Sequence, residues 1–152
     1  MRLLDFLPAE RVRTGLVVRD KADLLEHLAA LLAGGDGHPV VVRDALLARE
    51  HLGSTGLGHG VAIPHGRSAA IGEVRAALVR LAKPVDFGAE DHGPVDLVAA
   101  LIVPAHFTDQ HLKLLAELAE LFSDASFTSA LRAAPDATAL RELLQPGPRT
   151  ED

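Results

Sequence analysis

The chain has 152 residues, of which 48% are hydrophobic and 24% are charged, with a net charge of -6 and no cysteine. This length fits one domain that buries about 70% of its unfolded surface. The negative charge argues against a nucleic-acid-binding protein, and the lack of cysteine excludes disulfides, cysteine-ligated zinc and a thiol nucleophile.

Neither a targeting signal nor a membrane span is visible in the sequence. Arg2 is followed closely by Asp5 and Glu10, unlike the start of a signal peptide. No apolar run approaches the ~20 residues that a membrane helix needs. We therefore expect a cytoplasmic protein with no direct insertion into a membrane.

Apolar spacing and turn residues divide the chain into alternating strands and helices. A first strand is predicted at 14–18, and the following helix is capped by Asp20 and stopped by Gly34 and Gly35. A second helix is predicted at 40–52. The later predictions are strands at 61–63, 74–81 and 95–103 and helices at 108–122, 124–134 and 136–145.

This alternation predicts an α/β fold, a single-domain mixed, largely parallel β-sheet flanked by helices on both faces. The segment 95–103 is nearly all apolar, as in a central strand that is covered on both faces. The predicted domain spans residues 1–145, and residues 146–152 are expected to form a disordered tail.

The segment from Arg49 to Arg67 holds five glycines and three histidines. Glycine permits positive φ and a close approach of the backbone to a ligand. Pro64 ends the short strand before it because proline has no N–H to donate. His65 then lies just beyond the strand, with room beside it at Gly66. We predict that His65 is a nucleophile.

Two familiar phosphate-binding motifs do not fit this glycine-rich segment. Gly53 and Gly58 have the spacing of a P-loop, but His59 and Gly60 replace its Lys-Ser/Thr pair. The dinucleotide motif fails as well, because Val61 holds the position of its last glycine. The sequence therefore gives no support to nucleotide binding.

Arg49, Arg67 and His111 are further candidates for a phosphate site. A guanidinium group matches phosphate with paired donors, although an isolated arginine is more often a solvated surface residue. His111 falls in the first turn of a predicted helix that follows the central strand, where sites collect in α/β sheets. The helix N-terminus suits an anion and disfavours a cationic imidazole, but an exposed first-turn histidine is an equal alternative.

Two motifs resemble those of a known family. The run G-S-T-G-L-G-H-G-V-A-I-P-H-G-R at 53–67 closely resembles the active-site signature of enzyme IIA domains of the fructose/mannitol type. These domains belong to the bacterial phosphoenolpyruvate-dependent phosphotransferase system, and the regulatory nitrogen-related IIA proteins look nearest. The run P-V-D-L-V-A-A-L-I-V-P-A at 94–105, followed by Gln110-His111-Leu112, resembles their second motif. The resemblance covers residues 3–144.

The resemblance implies a phosphocarrier that needs no cofactor and no metal. His65 would be phosphorylated by the histidine phosphocarrier HPr or by its nitrogen-branch counterpart, with Arg49 and His111 as helpers around the phosphoryl group. The phosphate would then regulate downstream proteins or pass to a separate IIB protein. The implied fold is again a mixed sheet flanked by helices. The loop residues expected at the phosphate are Ser54, Thr55, Gly66 and Arg67.

Several alternatives stay open at this level. The chain is either a nitrogen-related regulator or a sugar-specific IIA component, and no IIB or IIC segment in the sequence names a sugar. A metal-dependent hydrolase that uses several of the eight histidines lacks an H-E-x-x-H motif. A binding module without transfer is the remaining possibility. His59 departs from the small or amide residue of many relatives, and the sequence does not select the ring nitrogen of His65 that attacks.

Overall fold

The computed structural model describes residues 3–34, 38–106 and 108–144, apart from the side chains of residues 108, 110 and 111. Within these residues the chain forms six strands and five α-helices, after two 3-10 turns at Leu3–Phe6 and Ala9–Arg11. In chain order they are β1 (Val12–Leu16), α1 (Lys21–Ala33), α2 (Pro39–His51), β2 (Gly56–Gly58), β3 (Val61–Ala62), β4 (His65–Ser68), β5 (Arg75–Val85), β6 (Val95–Pro104), α3 (Thr108–Phe122), α4 (Ala125–Ala133) and α5 (Ala137–Glu142).

The described strands form one mixed sheet in the order β1-β5-β6-β3-β2, and β4 pairs with β6 beyond the end of β3. The pairs β1–β5, β3–β6 and β4–β6 are parallel, whereas β5–β6 and β2–β3 are antiparallel. Parallel pairs outnumber antiparallel ones, so the predicted mixed, largely parallel sheet is confirmed.

Strands β3 and β4 are two parts of one strand, interrupted at Ile63 and Pro64, because both follow the same register along β6. At the interruption the N–H of Ile63 donates to the carbonyl of Thr55 at 3.0 Å. Pro64 has no N–H, but its carbonyl accepts the N–H of Leu101 at 3.0 Å. His65 is therefore the first residue of β4. The sequence placed His65 just beyond a strand that ends at Pro64, which was wrong, because pairing with β6 resumes at once.

Apolar clusters cover both faces of the sheet. Helices α1 and α2 pack on one face, and α3, α4 and α5 pack on the other. Strand β6 supplies both clusters with alternate side chains, which confirms the central strand and the helices on both faces. Leu97, Ala99, Leu101 and Val103 point to one cluster, and Val98, Ala100 and Ile102 point to the other.

Helix α1 begins after Asp20 and ends before Gly34, as the sequence predicted, and Gly35, the second predicted stop residue, lies outside the described residues. The carboxylate of Asp20 accepts the N–H of Asp23 at 2.8 Å, and Gly34 follows the last turn with a φ of 71°. Arg75 at the start of β5 donates to the carbonyl of Ala33 at 2.6 Å. A cation from the sheet thus stabilises the negative end of this helix.

Three predicted boundaries were wrong. Strand β1 is Val12–Leu16 instead of 14–18, and α5 ends at Glu142 instead of residue 145. Strand β5 continues through Pro84 to Val85, past the predicted end at residue 81. The register between β5 and β6 shifts between Arg80 and Val85. Pro84, which has no N–H, therefore lies where the regular ladder does not need a backbone donor.

Residues 146–152, the predicted tail, lie outside the described residues. Among the helices that the structure describes, none has the length and apolar character that crossing a membrane requires.

Candidate active site

His65 is held at the interruption between β3 and β4 by a backbone group of the same strand. Its Nδ1 lies 2.8 Å from the carbonyl oxygen of Ile63. Because a carbonyl only accepts, Nδ1 carries the hydrogen in the neutral ring and Nε2 carries the lone pair. The hydrogen bond to this backbone carbonyl therefore selects the tautomer that the sequence left open.

The surroundings of His65 favour the neutral imidazole. Burial of the ring lowers the pKa of His65 below its ordinary value, because a charged ring loses hydration there. The hydrogen bond to the Ile63 carbonyl and the negative charge of Glu50 act in the opposite direction, while the positive charge of Arg49 lowers the pKa further. The net direction is downward, so the ring keeps its nucleophilic form to lower pH than an ordinary histidine.

Arg49 lies in the last turn of α2, as the sequence indicated. Its Nη1 donates to the carbonyl of Gly53 at 2.9 Å, which fixes the guanidinium beside the glycine-rich segment. Arg49 and His65 line the same two cavities. The fold thus brings a fixed positive charge next to the candidate nucleophile.

The two cavities share His65 and lie at the edge of the sheet where β4 has α2 on one side and α3 on the other. The larger has a volume of about 430 Å³ and is bounded by Ala45, Leu52 and Leu112. The smaller has a volume of about 200 Å³ and reaches the glycine-rich segment at Leu57. Their walls are mostly apolar, so charge in the cavities is confined to the few basic groups.

Ser54 and Thr55 line the smaller cavity, but their hydroxyl hydrogens are used within the scaffold. The Ser54 hydroxyl donates to the carbonyl of Phe87 at 3.2 Å and accepts the N–H of Gly56 at 3.0 Å. The Thr55 hydroxyl donates to the carboxylate of Glu50. Both side chains therefore hold the glycine-rich segment in place.

Gly66 and Arg67 follow His65 on β4 and differ in setting. A Cβ on Gly66 would lie 2.9 Å from the backbone carbonyl of Ala45, so this glycine lets α2 pack directly on β4. Arg67 is exposed and lines the larger cavity. It adds a second positive charge at the entrance to that cavity.

His111 is the fourth residue of α3, which begins at Thr108, so its predicted place in a first helical turn is confirmed. The side chain of His111 lies outside the described residues. Its neighbour Leu112 lines the larger cavity with Arg49 and His65, which places this turn of α3 along the cavity.

Glu50 and Lys21 belong to the site and were missed by the sequence interpretation. The Glu50 side chain is only 5% exposed, and Lys21 Nζ lies 2.8 Å from its Oε1. Glu50 also receives the N–H of Thr55 at 3.2 Å. Glu50 follows Arg49 directly in the chain, but no local pattern shows that a helix-end glutamate is buried, because its partners come from α1 and from the segment after α2.

His59 has a backbone role in the hairpin between β2 and β3. His59 and Gly60 have φ values of 57° and 83°, as in a two-residue type I′ turn. The N–H of His59 donates to Asp91 at 2.9 Å, and its carbonyl accepts from Arg132 at 2.8 Å. His59 lines neither of the two cavities at His65.

Among the residues that the structure describes, no three His, Asp or Glu side chains lie close enough together to hold a metal ion. This arrangement gives no support to the metal-dependent hydrolase alternative.

Comparison with known proteins relates the chain to a family of known proteins. The family model described as "Phosphoenolpyruvate-dependent sugar phosphotransferase system, EIIA 2" matches residues 5–146. A nitrogen regulatory protein of Bradyrhizobium diazoefficiens is 38% identical over 151 residues, which cover 99% of each chain.

Two solved structures show the same architecture. The crystal structure of the nitrogen regulatory protein IIA-Ntr from Neisseria meningitidis has a TM-score of 0.89 at 38% identity and covers 93% of this chain and 98% of that one. The crystal structure of IIA mannitol from Escherichia coli has a TM-score of 0.76 at 25% identity. The match covers 91% of this chain and 98% of that one. The predicted fold agrees with both.

Proposed function

Because the chain belongs to the EIIA 2 family of the phosphoenolpyruvate-dependent sugar phosphotransferase system, we propose that it is a phosphocarrier that accepts a phosphoryl group on His65. The donor is HPr or its nitrogen-branch counterpart, and the phosphorylated form regulates other proteins in the cytoplasm. The observation that carries the assignment of His65 is its hydrogen bond to Ile63 inside a cavity that it shares with Arg49. Similarity to nitrogen regulatory proteins supports the regulatory role.

The proposed transfer uses Nε2 of His65 as the nucleophile. Its lone pair attacks the phosphorus of the donor's phosphohistidine as the donor's P–N bond breaks, and the electron pair of that bond returns to the donor ring. Nδ1–H of His65 keeps its bond to Ile63 throughout, so the ring does not need to rotate or exchange tautomers. A neutral ring is required, and burial favours that form.

Arg49 stabilises the charge on the equatorial phosphoryl oxygens in this scheme. Phosphoryl transfer needs little from a protein beyond in-line positioning and such stabilisation. The bond from Arg49 to the Gly53 carbonyl holds the guanidinium in position before the donor arrives. We assign His111 and the N-terminus of α3 as a second source of donors, and Arg67 as a cation at the entrance.

Exposed leucines around the cavities suit docking of a phosphocarrier protein. Leu52 is 83% exposed, Leu112 is 68% exposed and Leu57 is 40% exposed, and all three line a cavity that contains His65. Direct transfer between two histidines needs a site from which water is excluded, because water would hydrolyse the phosphoryl group. Apolar contact around the reacting atoms provides that exclusion. Phosphorylation then adds about two negative charges at the centre of this face, which alters which proteins bind it.

Intact-mass spectrometry after incubation with phosphoenolpyruvate, enzyme I and either HPr or its nitrogen-branch counterpart tests the proposal. We expect a gain of one acid-labile phosphoryl group, absent in His65→Ala, with the circular dichroism spectrum of the variant unchanged. A mass gain that persists in His65→Ala would move the acceptor to another residue. No gain with either donor would overturn the phosphocarrier and leave a binding module.

A sugar-specific IIA component is the second candidate, favoured by the structural similarity to IIA mannitol at 25% identity. The two roles differ in where the phosphoryl group goes next. A phosphorylated protein that transfers rapidly to a separate IIB partner would support the sugar-specific role. Retention of the group in the presence of such partners would support the regulator.

A further inference from the structure

The carboxylate of Glu50 is a buried charge beside His65 with donors on both of its oxygens. Its Oε1 receives Lys21 Nζ at 2.8 Å and the N–H of Thr55 at 3.2 Å, and its Oε2 receives the hydroxyl of Thr55. The side chain is 5% exposed, compared with 29% for Lys21. Glu50 also lies close enough to His65 for its charge to act on the ring.

A buried ion pair of this kind is weak evidence for added stability. Removing two charges from water costs as much as their attraction returns, and well-packed apolar residues often serve equally well. What such a pair supplies is a fixed geometry, because each donor has a defined direction. The question is therefore which atoms the Glu50 carboxylate holds in place.

The contacts of Glu50 continue through the backbone to the ring of His65. Glu50 fixes both the N–H and the hydroxyl of Thr55. The carbonyl of Thr55 accepts the N–H of Ile63 at 3.0 Å. The carbonyl of Ile63 in turn accepts Nδ1–H of His65 at 2.8 Å. An unbroken series of hydrogen bonds thus joins the end of α2 to the ring, through the interruption between β3 and β4.

These bonds act at the interruption of the strand. Ile63 and Pro64 lie between the two short strands β3 and β4, and Pro64 has no N–H. The N–H of Ile63 is held by Thr55, which itself lies outside the strands. Thr55 thus holds the backbone at Ile63 from the N–H side, and Glu50 binds the N–H and the hydroxyl of Thr55.

We propose that Glu50 is a positioning residue for His65, which it orients through Thr55 and the Ile63 carbonyl so that the hydrogen stays on Nδ1 and the lone pair stays on Nε2. The consequence for phosphoryl transfer rests on the function proposed above, whereas the effect on the tautomer does not. Lys21 completes the arrangement from α1. Its Nζ also donates to the carbonyl of Phe87 at 3.0 Å and lies 4.3 Å from the centre of the Phe87 ring, so the cation has several fixed partners.

Long-range ¹H–¹⁵N correlation of the histidine rings at neutral pH tests the proposal, because it distinguishes the two neutral tautomers. In the unaltered protein we expect His65 to carry its hydrogen on Nδ1. Glu50→Gln removes the charge and one of the two acceptor oxygens, and we expect the share of the Nε2–H form to rise about fivefold. The rate of phosphoryl acceptance falls about tenfold in the same variant.

Glu26→Gln is the matched control, since it makes the same chemical change at a glutamate that is 60% exposed and paired with Arg43. Its tautomer ratio and transfer rate stay those of the unaltered protein. Thr55→Val is the second variant, which removes only the hydroxyl that Glu50 receives and shifts the ratio in the same direction by a smaller factor. It keeps the proposal testable if Glu50→Gln fails to fold.

The outcomes separate the two proposals. A tautomer ratio in Glu50→Gln or Thr55→Val equal to that of Glu26→Gln would overturn the positioning role, even if the free energy of unfolding falls. A shifted ratio in a protein that accepts no phosphoryl group from either donor would keep the positioning role and remove the proposed function.

Discussion

Gly66 faces Ala45 so closely that a Cβ on residue 66 would lie 2.9 Å from both the carbonyl carbon and the carbonyl oxygen of Ala45. This contact seats α2 directly on β4. Arg49 lies one helical turn beyond Ala45 on the same face of α2, and His65 precedes Gly66 on β4. One glycine therefore sets the separation between the candidate nucleophile and its neighbouring cation.

Gly66→Ala tests this relationship. The new methyl group meets backbone, which cannot rotate away, so α2 has to move from β4. We expect the free energy of unfolding to fall by about 1–3 kcal/mol and phosphoryl acceptance to slow, measured by urea denaturation and by intact mass. Gly72→Ala is the control, because a Cβ there meets nothing within 4 Å and the stability changes by less than about 0.5 kcal/mol. Equal stabilities for the two variants would contradict the role of Gly66.

Arg49→Ala is expected to slow phosphoryl acceptance by about 100-fold without abolishing it, because it removes one preorganised source of charge stabilisation. Time-resolved intact mass at fixed donor concentration measures this rate. Arg43→Ala is the matched control on the same helix, where the guanidinium pairs with Asp44 at 3.1 Å and lines neither cavity. A rate for Arg49→Ala equal to that of Arg43→Ala would remove Arg49 from the reaction.

The lowered pKa of His65 predicts the pH dependence of the reaction and of stability. The neutral ring persists as the pH falls through about 6.5, the ordinary histidine value, so acceptance should persist below that pH. The folded state binds this proton less readily than the unfolded state does. His65 therefore makes the free energy of unfolding fall as the pH drops below about 6.5, and His65→Gln should weaken that dependence. An acceptance rate that is halved at or above pH 6.5 would contradict this expectation.

Opposite charges near His65 predict opposite shifts in two variants. Arg49→Gln removes a positive neighbour and raises the pKa of His65, whereas Glu50→Gln removes a negative neighbour and lowers it. Histidine ring shifts recorded by NMR against pH measure both values. Movement of the two values in the same direction would show that the two charges do not act on the ring as the geometry indicates.

The turn at His59 predicts a stability order that is independent of the chemistry. Asparagine adopts positive φ readily and precedes glycine in many type I′ turns, so His59→Asn should match or exceed the stability of the unaltered protein. His59→Val places a β-branched residue at a φ of 57° and should lower the free energy of unfolding by about 1–2 kcal/mol. Urea denaturation gives this order, and phosphoryl acceptance by His59→Asn should be unchanged. A valine variant as stable as the asparagine variant would contradict the turn assignment.

Local signals in the sequence located the helices and the central strand. Asp20 and Gly34 mark the ends of α1 because capping and positive φ are properties of a few neighbouring residues. The apolar segment 95–103 predicted β6, since burial on both faces leaves no polar positions. These features depend on short stretches of chain, and for that reason they can be predicted without the fold.

Pairing between strands that are distant in the chain was harder to predict from the sequence. Pro84 lies inside β5, and His65 begins β4 instead of lying beyond the end of a strand, because β6 provides pairing partners on both sides. Local propensity carries no information about that partner. The predicted boundaries therefore failed where tertiary contacts outweigh the preference of a single residue.

The α/β class, the family and the candidate residues His65, Arg49 and His111 could be predicted without a structure, because they follow from periodicity and from motifs within short segments. The folded chain was needed to show that Ile63 holds Nδ1 of His65, that Gly66 admits α2, and that the Glu50 side chain is buried. The ring tautomer, the close packing and the burial of a charge depend on atoms from separate elements, and no local pattern encodes the distances between them.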